Sequence, residues 1–250
     1  MNVVNKYSRF ISSIYLSEIF DSIQGEGGLA GYRTLFIRLL GCHVGCKWCD
    51  TLYSWKVIED NKITVTDLVA EIKKRIGVDS WLCFTGGEPL EQLKSLVWVV
   101  EKLNNFGYKN ISLETAGILG YEDTNVILPD QKNILDLYYS DTFFSVSPKL
   151  VSALGKRFDY DSFVKIIKFW CSTVPVYYKL QFKFVASTEE DLVILSNIIK
   201  DVPIMGENTI FLQIEANKIN SDYIEKCFNW IKKNQNYRMS VQQHKILKLK

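Results

Sequence analysis

The sequence predicts an α/β fold: an incomplete TIM-like barrel with a mainly parallel sheet, running as one domain over residues 1–250. Strand-like apolar runs alternate with amphipathic helical runs along most of the chain, the order that builds parallel sheets. Polar and glycine-rich segments recur directly after the strands, at Cys42 onward, Thr85-Gly-Gly-Glu, Glu114-Thr, Ser147-Pro-Lys and Gln213. In barrel-like α/β folds the active site is built at those C-terminal strand ends. At 250 residues the chain is also somewhat short for a complete eight-fold barrel, which favours a partial, open one.

The elements follow in order. Residues 14–21 (IYLSEIFD) and 33–40 (RTLFIRLL) read as strands joined by the glycine-rich turn QGEGGLAG. A cysteine-bearing loop follows the second strand. Residues 66–76 (TDLVAEIKKRI) form an amphipathic helix with Thr66 as its N-cap. A buried strand over 80–85 (SWLCFT) ends at the turn GGEP, before a helix over about 90–105. Strands over 110–114, 143–147 and 179–186 come next, then a helix over about 188–200, a strand over 211–214 and a helix over about 220–234. Near the end, period-2 alternation puts Arg238, Ser240 and Gln242 on one face. Residues 118–142 read as a longer insertion between two strands.

Composition narrows the function. A net charge of +2 is too small to suggest a nucleic-acid or membrane partner. The first residues lack the apolar core of a signal peptide, and no apolar run approaches the ~20 residues of a bilayer span. The reading is a cytoplasmic protein, where structural disulfides are rare. Six cysteines then need explaining. Cys83, Cys171 and Cys227 stand singly and read as small buried hydrophobes. Cys42, Cys46 and Cys49 fall within eight residues, spaced C-x3-C-x2-C. A disulfide would leave one thiol over, and structural zinc normally takes four protein ligands in two pairs. Three thiolates suit a 4Fe-4S cluster with one iron open to a further ligand. On spacing alone, zinc or reactive thiols remain the alternatives.

The run Cys42-His-Val-Gly-Cys46-Lys-Trp48-Cys49 and the Gly86-Gly87-Glu88-Pro89 turn resemble the radical S-adenosylmethionine (SAM) superfamily, whose pattern is C-x3-C-x-aromatic-C. Within it the chain resembles the 7-carboxy-7-deazaguanine synthase family. That resemblance rests on Gln24-Gly25-Glu26-Gly27, Phe36-Ile-Arg38-Leu, Cys49-Asp50-Thr51, Thr85-Gly-Gly87-Glu-Pro, Leu113-Glu114-Thr115, Ser147-Pro148-Lys149, Phe211-Leu-Gln213 and Gln242-x-His244-Lys245.

The resemblance implies a partial barrel of the radical SAM type. It implies conversion of 6-carboxy-5,6,7,8-tetrahydropterin to 7-carboxy-7-deazaguanine with loss of ammonia. A radical from SAM would take hydrogen from C6 of the pterin, and hydrogen would return after ring contraction. The implied cofactors are a 4Fe-4S cluster on Cys42, Cys46 and Cys49, SAM, and Mg2+ on the Thr51 hydroxyl. Trp48, Cys49, Asp50, Gly87, Ser147, Pro148, Lys149, Gln213, Ile214, Glu215 and Ala216 match positions that hold SAM. Ile23, Gln24, Gly25, Glu26, Arg38, Thr85 and Lys250 match positions that hold the pterin. The family favours Gln-Pro where this chain has Gln213-Ile214, and its Glu-Thr-Asn-Gly turn is Glu114-Thr-Ala116-Gly here. An electron donor such as flavodoxin and a homodimer are also implied.

Each role has a plainer alternative. Thr51 could cap a helix, QGEG could be a simple hairpin, and Trp48 could pack over the cluster. Arg38, on an apolar strand, needs an anion; the substrate carboxylate fits its fork, and so would an internal salt bridge. Glu88 reads as structural, and the HK-bearing end as a solvated basic tail. Two other functions compete: another radical SAM enzyme such as a glycyl-radical activase, and a non-catalytic zinc- or RNA-binding protein.

Overall fold

The computed structural model describes residues 12–122, 125–175, 179–202 and 209–249. One nine-stranded sheet organises them. It contains β1 (Ser13–Ile23), β2 (Arg33–Leu39), β3 (Lys62–Thr64), β4 (Trp81–Gly86), β5 (Ile111–Thr115), β8 (Phe143–Val146), β9 (Leu180–Ala186), β10 (Thr209–Ile214) and β11 (Tyr237–Ser240). The strand order is β11-β10-β9-β8-β5-β4-β2-β1-β3. Every pairing from β2 through β11 is parallel, while β1 runs antiparallel to β2 and β3. The sheet is open among the described residues, with β3 and β11 at its edges.

Helices supply the crossovers that parallel strands need. They are α1 (Val65–Arg75), α2 (Leu93–Asn105), α3 (Gln131–Tyr139), the single-turn α4 (Val151–Leu154), α5 (Tyr160–Thr173), α6 (Glu189–Asp201) and α7 (Ser221–Lys233), with a short α8 (Gln243–Ile246) near the end. The insertion over 118–142 resolves into a small hairpin, β6 (Gly120–Glu122) with β7 (Asn125–Ile127), and then α3.

Alternation along each strand decides what faces where. Leu35, Ile37, Leu39, Leu82, Phe84, Ile111, Leu113, Phe144, Val146, Phe182, Phe184, Ile210 and Leu212 all join one continuous apolar core that includes α5's fully buried Trp170. The residues between them have the other parity and point to the opposite face of the sheet. These are Phe36, Arg38, Cys83, Thr85, Glu114, Ser145, Gln181, Lys183, Phe211 and Gln213. Strands covered on both sides read as continuous buried runs, as β9 does. The scattered cysteines are buried as expected: Cys83, Cys171 and Cys227 all lie in the interior.

The cap of the first helix differs from the sequence reading. The N-cap of α1 is Thr64, not Thr66: the Thr64 hydroxyl accepts from the Asp67 backbone N–H at 3.1 Å. Thr64 also belongs to β3, which pairs with β1 and pulls the helix start two residues earlier. Thr64→Ala is expected to cost about 1 kcal/mol in chemical denaturation, whereas the exposed Thr66 lies inside the helix and Thr66→Ala should stay within about 0.5 kcal/mol of wild type.

Candidate active site

The cysteine loop leaves β2 at Leu39 and is fastened from several sides. Glu88 N–H donates to the Gly41 carbonyl at 2.7 Å, and Gly87 N–H to the Leu39 carbonyl at 3.0 Å. A side chain at Gly87 would place its Cβ 2.1 Å from the Gly41 carbonyl oxygen, so only glycine lets the two turns meet. On the other side Lys47 N–H donates to the Ala153 carbonyl at 2.9 Å, and the Arg157 guanidinium donates to the carbonyls of Val44 and Gly45. Gly45 has φ +64°, a left-handed turn that bends the loop between the first two cysteines. The insertion hairpin braces the same loop: Gly120 packs beside the His43 Cβ.

Cys42, Cys46 and Cys49 all line one cleft. The Trp55 indole N–H donates to Cys49 Sγ at 3.1 Å, and Thr51 N–H to the same sulfur at 3.4 Å. Burial pushes the Cys42 thiol up to about 11 and raises that of Cys46. Without a metal these thiols stay protonated; a bound metal exchanges for their protons. Among the described residues no three His, Cys, Asp or Glu side chains are grouped tightly enough for a single ion. A mononuclear zinc site draws its ligands together, while a cube spreads three thiolates over three corners. Three thiolates lining one cleft form a donor set that fits an iron–sulfur cluster. Beside it, the buried Trp48 Nε1 has no hydrogen-bond partner, a free donor at the cleft wall.

The floor of the cleft is a polar network. Lys183 of β9 forms a salt bridge with Glu26 and stands 3.8 Å from Glu114. Gln242 Nε2 donates to Glu26 Oε1 at 2.7 Å, Gln24 Nε2 to Glu114 Oε1 at 3.1 Å, and Thr85 Oγ1 to Glu114 Oε2 at 3.2 Å. Burial raises the Glu26 carboxyl, but the Lys183 charge and hydrogen bonds from Lys183, Gln242 and Gln213 outweigh it and bring it to about 2. The QGEG segment is thus more than a hairpin connection: Gln24 and Glu26 are tied into three strands.

The remaining residues divide. Ile23, Gln24, Glu26, Arg38, Trp48, Asp50, Thr51, Thr85, Gly87, Ser147, Lys149, Gln213 and Glu215 line the cleft with the cysteines. Pro148, Ile214, Ala216 and Gly25 do not; Ile214 is fully buried in the sheet. Gly25 instead packs under His244, whose Nδ1 would lie 2.2 Å from an added Cβ. Lys250 lies outside the described residues. Arg38 Nε donates to Glu18 at 3.0 Å, so the internal ion pair exists even as the guanidinium lines the cleft. Thr51 makes no side-chain capping bond to the short helical turn Leu52–Ser54; its hydroxyl lies 3.5 Å from Cys49 Sγ. The basic tail is not simply solvated, since Lys245 Nζ donates to Asp50 at 2.6 Å.

Sequence reasoning passed over Lys183, although a lysine in the apolar run LQFKFVA carries the same signal that singled out Arg38. It treated Glu88 as structural. The structure shows that carboxylate accepting from Thr115 Oγ1 at 2.5 Å, Ala116 N–H at 2.7 Å and Leu90 N–H at 3.1 Å.

Residues 23–154 match a family described as a 4Fe-4S single cluster domain. The 7-carboxy-7-deazaguanine synthase of Buchnera aphidicola subsp. Schizaphis graminum is 30% identical over 94% of this chain and 98% of its own length. The chain belongs to the 7-carboxy-7-deazaguanine synthase family. The enzyme of that name from Methanospirillum hungatei is 31% identical over 95% of this chain and 87% of its own. Among solved structures, QueE from Escherichia coli superimposes with a TM-score of 0.66, at 24% identity, covering 93% of this chain and 95% of that one. The enzyme anSMEcpe, solved with bound AdoMet and a peptide, gives a TM-score of 0.51 at 17% identity over 80% of this chain and 60% of that one. Both share the fold with this family member.

Glu88 provides a test of the site's electrostatics. Burial pushes its carboxyl up from 4.5 to about 7, against its hydrogen bonds. Between those values the folded chain holds a proton that the unfolded chain has released, so stability falls as pH rises through that window and levels off above it. Denaturant titrations at both ends of the window should show this slope in wild type and a weaker one in Glu88→Gln.

Proposed function

We propose that this chain is a 7-carboxy-7-deazaguanine synthase. It converts 6-carboxy-5,6,7,8-tetrahydropterin to 7-carboxy-7-deazaguanine with release of ammonia. The observation that carries the reading is the shared cleft: the three-cysteine loop after β2 and the Gln24–Glu26 turn before it open onto the same space. A glycyl-radical activase needs the first but has no use for the second.

In this reading Cys42, Cys46 and Cys49 hold a 4Fe-4S cluster. Once bound, the cluster supplies one low-potential electron for reductive cleavage of SAM, which starts the ring contraction. The protein's part is positioning and exclusion of water. Trp55 and the Thr51 N–H steady Cys49 by donating to its sulfur. Trp48, Asp50, Gly87, Ser147, Lys149, Gln213 and Glu215 hold SAM along the cysteine side, Lys149 donating to Ser147 Oγ at 3.3 Å. Gln24, Glu26 and Thr85 meet the pterin, whose ring edge offers donors and acceptors that an amide, a carboxylate and a hydroxyl can pair. Arg38 keeps Nε on Glu18 and presents the rest of its fork to the substrate carboxylate. Thr51, whose hydroxyl lies 3.5 Å from Cys49 Sγ, would offer that oxygen to Mg2+.

The chain works as one domain, in the cytoplasm, as a homodimer, with a small-protein electron donor such as flavodoxin. No helix among the described residues is long and apolar enough to cross a membrane.

Anaerobic reconstitution followed by incubation with the pterin, SAM, reductant and Mg2+ tests the function. The expected result is a brown protein with about four irons per chain and the absorbance of a deazaguanine product. Absence of that product would sink the reading, and a colourless zinc protein would favour the structural alternative. Cys46→Ala should lose iron and activity together. Thr51→Ala should keep its iron and weaken the Mg2+ dependence; loss of iron in this variant would contradict the role given to Thr51.

A further inference from the structure

Among the described residues, Lys183 is the one cation buried in the floor of the cleft that the proposed binding set leaves unused. Its side chain is 8% exposed, and it leaves β9 with the parity that faces the cleft. Two carboxylates meet it from different elements. Glu26 follows β1, and Glu114 ends β5. The other titratable group near it is the thiol of Cys83 on β4, which burial and the Glu114 charge both hold in the neutral form. Gln24, Gln242 and Thr85 donate to the two carboxylates and carry no charge. The cluster therefore sums to one negative charge, two carboxylates against one ammonium.

Such a cluster is costly unless it does something. An ionised Glu26 is disfavoured by burial and by a second carboxylate on the same ammonium. One cation between them permits it. Each ionised carboxylate offers about four acceptor positions. The hydrogen bonds above use two on Glu26 and two on Glu114, and Gln213 reaches Glu26 as well. The remaining lone pairs belong to a ligand edge rich in donors. A 2-amino-4-oxo pyrimidine edge has that character, with an N–H and an adjacent NH2 in one plane. A 2-oxo edge replaces the NH2 with an acceptor and would face the carboxylates unfavourably.

We propose that Lys183 is the positioning residue that sets ring selectivity. It holds Glu26 and Glu114 in place as paired acceptors, so that the site accepts a 2-amino-4-oxo ring and rejects the 2-oxo analogue. This rests on the pterin reading of the site and extends it to a residue that touches no substrate itself. Charge, not packing, is what the lysine contributes. Removing it leaves burial free to raise the Glu26 carboxyl, and a protonated Glu26 loses part of its acceptor capacity.

The test is equilibrium binding of pterin-6-carboxylate and lumazine-6-carboxylate to the reconstituted protein with SAM, followed by ligand fluorescence. Wild type, Lys183→Met and Lys183→Arg are compared between about pH 5.5 and pH 7.5, the range over which a carboxyl raised by burial titrates. Wild type should prefer the pterin by about ten- to hundred-fold, the usual worth of a hydrogen bond to a charged group, with little pH dependence. Lys183→Met should show a preference below about three-fold at the acid end that recovers as pH rises and Glu26 ionises. Lys183→Arg should keep the preference. Should the methionine variant not fold, Lys183→Gln gives the same readout, with iron content and melting temperature as the folding controls. A folded neutral variant with wild-type preference and a flat pH profile overturns the role of Lys183 and leaves the pterin reading standing. Wild-type protein that binds both rings alike overturns this proposal and leaves the pterin reading standing, and wild-type protein that binds neither overturns both.

Discussion

Burial of the parallel sheet on both faces is the constraint from which the rest of the structure follows. Helices cover one face, so every residue of that parity must be apolar, and Leu35, Ile37, Phe84, Phe144, Phe182, Phe184 and Leu212 are. The opposite parity is also sheltered but lines a cleft, so it can carry charge only if the charges satisfy one another. Arg38, Glu114, Lys183 and Gln213 occupy those positions. Parallel connection then brings the C-terminal ends of β2, β4, β5, β8 and β10 to one rim, because each crossover returns the chain to the far edge before the next strand begins. A single site built from distant segments is a geometric consequence of that topology.

At the rim the decisive contact is between two turns. The loop after β2 carries the cysteines and the turn after β4 carries Gly87 and Glu88. Parallel pairing puts Arg38 beside Thr85 and Leu39 beside Gly86, so the turns emerge side by side. They are then joined by backbone hydrogen bonds that leave no room for a side chain at Gly87. Glu88 continues the chain of support by holding the start of the turn after β5. A loop with three thiols and few neighbours of its own thus gains a fixed shape from the strands next to it. Preorganisation of that kind matters for a site that must hold a cluster and a cosubstrate in one orientation.

The charged floor shows a different balance. Lys183 and Glu26 are both deeply buried; Glu26 and Glu114 hold the lysine charged, and Lys183 with the amides of Gln242 and Gln213 holds Glu26 charged. Buried ion pairs of this sort seldom add stability over an apolar substitute. Their presence in the cleft is better explained by what they present to a ligand. The C-terminal segment closes over the same region: Gln242 reaches Glu26, Gln243 N–H donates to the Gly25 carbonyl at 3.0 Å, and Lys245 holds Asp50.

Much of this was legible from sequence. Periodicity located the strands and helices to within a few residues, because apolar alternation is set by which face is buried. The spacing of Cys42, Cys46 and Cys49, with the glycines of the loop, specified a three-thiolate site, because ligands within eight residues can converge without help from the rest of the fold. Other features depended on pairings far apart in the chain. Thr64 displaced Thr66 as the helix cap because β3 joins β1, and no local signal announces a three-residue edge strand. The insertion over 118–142 gave no hint that its hairpin braces the cysteine loop. Arg38's bond to Glu18 and Lys183's place between Glu26 and Glu114 came only with the strand order. By itself the sequence determined the chemistry available, since that depends on residue types and short spacings. Only the tertiary structure decided which charges face one another, since partners as far apart as residues 26 and 183 meet through sheet register alone.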